Sequence, residues 1–141
     1  MPEEKFIKTS INLSPVDAGY IDILVTKGLF ASRTEFMNYA IKKELEHHEL
    51  AIDGFVAEQE HQQATQHGGE LLIGSYRYDD AEILKLFQQH LVYKQLIVVG
   101  LLNLTAVTDQ AALFRQIQAI HVFGKFSASP TVLAHYRGRS V

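Results

Sequence analysis

The ten residues Lys8 to Asp17, KTSINLSPVD, hold the signal from which the rest of the chain can be read. Up to Leu13 the stretch alternates. Thr9, Ile11 and Leu13 fall on one side, and Lys8, Ser10 and Asn12 fall on the other. This is the period of a strand with one apolar face. Ser14 then offers a helix-capping hydroxyl, and Pro15 suits the first helical position. The stretch therefore reads as a short strand that turns at once into a helix, with a row of basic and small polar side chains on the outside.

Downstream, Ala18, Ile21, Leu24 and Val25 recur at helical spacing, and Gly28 ends the helix where a left-handed residue is wanted. A second helix starts at Ser32, where SRTE has the form of a capping box through Glu35. Phe36, Tyr39, Ala40 and Leu45 give it an apolar stripe, with Ile41 beside them, and the pattern runs to about His48. Fewer than about 50 residues bury too little apolar surface to be stable alone. The strand also lacks a hairpin partner, yet its backbone donors and acceptors need one. The simplest partner is the same strand from a second copy, antiparallel about a two-fold axis. Such a ribbon presents Lys8, Ser10 and Asn12 twice on its outer face.

In the order strand, Ser cap, helix, glycine, Ser cap, helix, the segments KTSINLS and SRTEFMNYAIKKEL resemble the ribbon-helix-helix proteins of the Arc, MetJ and CopG type. The resemblance covers residues 5–48. It implies a homodimer whose ribbon enters the major groove of double-stranded DNA. Carried over by position, it makes Lys8, Ser10 and Asn12 the base-reading residues. Their chemistry fits: lysine donates to guanine acceptors, asparagine can bridge adenine, and serine serves either role. It also makes Ser32, Arg33 and Thr34, at the second helix N-terminus, the phosphate contacts. The charge pattern runs against this, because residues 1–48 carry a balance of -1 that includes Glu3, Glu4, Asp17 and Asp22.

Residues 49–70 carry five acids and neither lysine nor arginine. They read as a helical extension and linker, ended by Gly68-Gly69. His61 and His67 are not at a helical metal-site spacing, and His47 and His48 are neighbours that do not both face one ion easily. The nickel-responsive members of the resembled family use His and Cys ligands, and this chain has no cysteine. No metal and no cofactor are expected.

Residues 71–141 carry a balance of +3 and repeat weakly. LLIGSYRYDDAEILKLF, IVVGLLNLTAVTDQAALF and HVFGKFSASPTVLAHY each read as strand, glycine, alternating residues, cap and helix. The glycines are Gly74, Gly100 and Gly124; the expected caps are Asp79, Thr108 and Ser129 with Pro130. This predicts three βα units around a small parallel sheet, or a short solenoid-like stack. Ile97, Val98, Val99, Leu101 and Leu102 are apolar on both faces, which suits a sheet covered on both sides, in part by a second subunit. Asp79, Asp80 and Glu82 sit at a helix start and read as capping rather than acid/base residues. His121 reads as a partnered core residue, and the terminal HYRGRSV as a basic tail.

The expected fold class is α+β: an N-terminal ribbon-helix-helix in an intertwined dimer (1–48), a helical extension and linker (49–70), and a βα-repeat oligomerisation or effector domain with a mainly parallel sheet (71–141). The absence of cysteine excludes disulfides and thiolate metal sites. No apolar run approaches the ~20 residues that span a bilayer, and MPEEKFIK lacks a secretory-signal pattern. A cytoplasmic, non-enzymatic transcriptional repressor without a membrane partner is expected. Two alternatives stand beside it. One is an autoregulatory antitoxin with a toxin as partner, and the other is an assembly protein built on the C-terminal repeats.

Overall fold

A computed structural model describes residues 6–65 and 68–137. His67, the Glu3-Glu4 pair and Gly138 to Val141 lie outside the described residues, while His135, Tyr136 and Arg137, expected to begin a basic tail, instead close the last helix, with Tyr136 buried. Among the described residues, six helices accompany one three-stranded parallel sheet. The chain divides into two units, one of Lys8–Val56 and one built from residue 57 onward. Among the described residues, no helix is long and apolar enough to cross a membrane.

In the first unit, α1 (Pro15–Thr26) starts at Ser14, whose hydroxyl accepts the Asp17 N–H at 3.1 Å. It stops at Gly28, whose φ of +79° is open to glycine. The Gly28 N–H donates to Val25 O and the Leu29 N–H to Leu24 O, the paired closure that satisfies the last carbonyls. Helix α2 (Arg33–His47) starts at Ser32, whose hydroxyl accepts the Glu35 N–H at 3.1 Å. The return half of the expected capping box differs. The Glu35 carboxylate accepts the Ala31 N–H at 2.8 Å rather than that of Ser32.

Packing in this unit is thin. Phe30 meets Phe36 edge-on at 5.1 Å and Tyr39 at 5.7 Å. Ile21 is the one buried side chain among residues 8–56, and α2 buries none. The stretch expected to be a strand, Lys8 to Leu13, is exposed and carries no strand pairing among the described residues. A strand is held by the ladder it makes with a neighbour, and a single copy of this segment has no neighbour of its own kind.

Helix α3 (Glu49–Thr65) fills most of the expected extension. Three βα units follow: β1 (Gly69–Asp79) and α4 (Asp80–Gln88), β2 (Gln95–Ala106) and α5 (Gln110–Gln116), β3 (Ile120–Ser127) and α6 (Pro130–Arg137). The strands are parallel in the order β1-β2-β3. Leu96, Val98, Leu102 and Leu104, on one face of β2, join Ile83 and Leu86 of α4, Leu113 of α5 and Val132 and Tyr136 of α6 in one buried core. All three helices thus cover the same face. The Tyr136 hydroxyl donates to Ile117 O at 2.7 Å inside this core. On the opposite face Ile97 and Leu101 are buried, while Ile73 and Phe123 are exposed.

The three glycines lie side by side, Gly74 against Gly100 and Gly100 against Gly124, with φ of +137°, +133° and +126°. A Cβ at Gly100 would collide with the Gly74 carbonyl, and one at Gly124 with the Gly100 carbonyl. The Cα–H in place of that Cβ is aimed at the neighbouring oxygen, a weak contact in the style of Cα–H···O pairs. The row serves close backbone approach between strands.

The expected cap of α5 is corrected by one residue. Asp109, not Thr108, caps the helix, its carboxylate accepting the Ala112 N–H at 3.1 Å. Thr108 is taken by Asp80 at the start of α4: its N–H donates to the carboxylate at 2.8 Å, and its hydroxyl donates to the other oxygen. The Asp109 N–H adds a third bond at 3.1 Å. The Thr108 hydroxyl hydrogen bond lowers the Asp80 pKa most, with the two backbone donors behind it. Asp79 caps α4, accepting the Glu82 N–H at 3.0 Å. His121 is half-buried and stacks on Phe123 at 4.3 Å.

Candidate nucleic-acid interface

Two groups of residues in the Lys8–Val56 unit are the candidates for nucleic-acid recognition. The first is the row Lys8, Ser10 and Asn12. All three are exposed, and so are Thr9 and Ile11 on the other side of the same segment. Ile11 is 61% exposed. Leu13, at the end of the segment, borders an open hollow of about 360 Å³ lined by Tyr20, Ile21, Leu24 and Phe36. Tyr20, on that hollow, is 63% exposed.

The second group, Ser32, Arg33 and Thr34, is brought together at the start of α2. Each has a different status. The Ser32 oxygen is engaged as the cap. Arg33 is paired with Asp22 of α1: its Nε donates to Oδ1 and its Nη2 to Oδ2, both at 2.7 Å. Thr34 is exposed. The Arg33 hydrogen bond holds the Asp22 carboxyl below the usual carboxylate range, and Asp22 raises the Arg33 guanidinium in turn. Both side chains remain about half exposed, so solvent and ions reach them.

Asp22 is the residue that sequence reading passed over. It counts in the sequence as one more acid set against DNA binding, and nothing in its spacing ties it to Arg33 eleven positions on. The link exists because the turn through Gly28 brings the middle of α1 beside the start of α2. An Asp within the first helix and an Arg opening the second are the available signal, and only the turn geometry selects them.

The histidines near the end of α2 serve the helix surface. His48 Nε2 lies 3.1 Å from Glu44 Oε1, and His47 Nδ1 lies 3.6 Å from Glu44 Oε2. Among the described residues no cluster of three or more His, Cys, Asp or Glu is placed to hold a metal ion.

A sequence model of the ribbon-helix-helix transcriptional regulators matches residues 3–133, which takes in both units. Comparison with curated proteins and with solved structures returns no match.

Proposed function

The chain belongs to the ribbon-helix-helix transcriptional regulator family, and on that premise we propose that it is a repressor that reads DNA as a dimer. Two copies of the Lys8–Leu13 segment pair antiparallel about a two-fold axis and enter the major groove. Lys8, Ser10 and Asn12 of each copy face the bases, where donors and acceptors distinguish one base pair from another. Ser32, Arg33 and Thr34 lie at flanking phosphates, where free backbone N–H groups and the helix dipole favour an anion. The two-fold symmetry calls for an inverted-repeat operator. Binding there represses by occluding a promoter.

The observation that carries this reading is the unfinished core of the Lys8–Val56 unit. One buried side chain does not hold two helices in water. Leu13 and Tyr20 are exposed on one hollow, and Ile11 and Ile23 are exposed in the same unit. A second copy supplies the missing cover and the missing strand partner in one step. We assign to the βα unit the setting of how many such dimers assemble. Its last strand, β3, is flanked by a largely apolar hollow of about 260 Å³ lined by Ile120, Val122, Phe126, Leu133, Tyr136 and the charged Arg137.

The test is binding of the intact protein to DNA from upstream of its own gene, at two salt concentrations, beside a Lys8→Ala/Asn12→Ala variant. Saturable, salt-sensitive binding that exceeds binding to random DNA, and that the variant loses, is the expected result. Loss of one good base contact costs about 1–3 kcal/mol of discrimination, so the variant should fall close to its random-DNA affinity. Equal affinity of the intact protein for upstream and random DNA refutes the proposal.

A further inference from the structure

The phosphate contact given to Arg33 faces a competitor already inside the protein. A guanidinium at the first position of a helix sits at the positive end of the dipole, where a cation is disfavoured unless an anion lies beside it. Asp22 provides that anion. Its two carboxylate oxygens take Nε and Nη2 of Arg33, each at 2.7 Å. This is the planar two-donor fork with which arginine grips a phosphate. Both partners are open to solvent, so an incoming phosphate can reach the pair.

We propose that Asp22 is a built-in rival for DNA phosphate, which occupies the Arg33 fork in the free protein and is displaced from it when the ribbon seats. The proposal rests on the reading of the α2 N-terminus as a phosphate contact. While the pair is closed, Arg33 adds little net charge to the attraction of DNA from a distance. The contact forms only when the bases are engaged and a phosphate is held at hydrogen-bond range. Asp22 therefore holds down sequence-independent binding and leaves base reading to Lys8, Ser10 and Asn12. This accounts for a DNA-facing block whose balance is acidic by one charge. The basic charge it has at the α2 start is kept closed until the site is found.

The test compares the intact chain with Asp22→Asn, Arg33→Ala and the double variant. Each is titrated with upstream DNA and with a random duplex of equal length across a salt series. Asp22→Asn should bind the random duplex more tightly and narrow the preference for upstream DNA. Its salt dependence should steepen by up to about two in log–log slope, one phosphate per protomer at roughly 0.9 each. In the Arg33→Ala background the same change should gain clearly less, because it only removes the repulsion of a lone carboxylate and frees no fork. Asp22→Ser should repeat the Asp22→Asn result. A slope unchanged in Asp22→Asn, a weaker affinity, or an equal gain with and without Arg33 overturns the proposal. In each of those cases the wild-type preference for upstream DNA still stands. Absence of that preference in the wild type removes the DNA reading itself, and this inference with it.

Discussion

The Lys8–Val56 unit has the longer helices, 12 and 15 residues in α1 and α2 against 9, 7 and 8 in α4, α5 and α6, yet it is the βα unit that closes a core. Helices α4, α5 and α6 close over one face of their sheet around Leu102, Leu113 and Val132, all fully buried. Helices α1 and α2 have sound caps at Ser14 and Ser32 and a well-closed end at Gly28, but between them they bury Ile21 alone. Local signals make a helix start and stop; burial of an apolar face makes it persist. The difference therefore lies in tertiary cover. The βα unit finds its cover within its own residues, and on the proposed reading the helical unit finds it in a second copy.

The strongest way to break this contrast is to damage the complete unit. Gly100→Ala puts a methyl group against the Gly74 carbonyl at a φ that L-residues disfavour. It should cost at least about 3 kcal/mol. In thermal unfolding the βα transition should fall steeply or vanish. Gly74→Ala should be milder, because its Cβ would meet only the Tyr76 ring at 3.5 Å. A smaller effect sharpens the same point. Tyr136→Phe removes the donor to Ile117 O inside the core and leaves that carbonyl unpaired, at a cost of about 1–2 kcal/mol. Denaturant unfolding should register that loss, and it should not depend on protein concentration, because the bond lies within one chain.

What could be read in the sequence follows from the same division. Ser14-Pro15, Gly28 and Ser32 were legible because each acts on its own neighbours. The glycine row was legible because Gly74, Gly100 and Gly124 recur at nearly even spacing, and parallel strands at that spacing place them in register. The Asp80–Thr108 tie was not legible, because its partners lie 28 residues apart and no periodicity relates them. It moved the α5 cap from Thr108 to Asp109. The Asp22–Arg33 pair was hidden for the same reason at a span of eleven. The second face of the sheet was legible only in outline. Continuous apolar residues in β2 point to burial on both sides, while the three helices gather on one.

The Lys8–Leu13 segment is where local pattern and single-chain structure part most widely, and its state in solution decides the account. Amide hydrogen exchange of residues 8–13 in the free protein, at concentrations where sizing gives a dimer, measures that state directly. Slow exchange is expected at alternate amides of the segment, lost together with the dimer on dilution. Exchange of all six amides at the rate of an unstructured peptide in a protein that is still dimeric would contradict it.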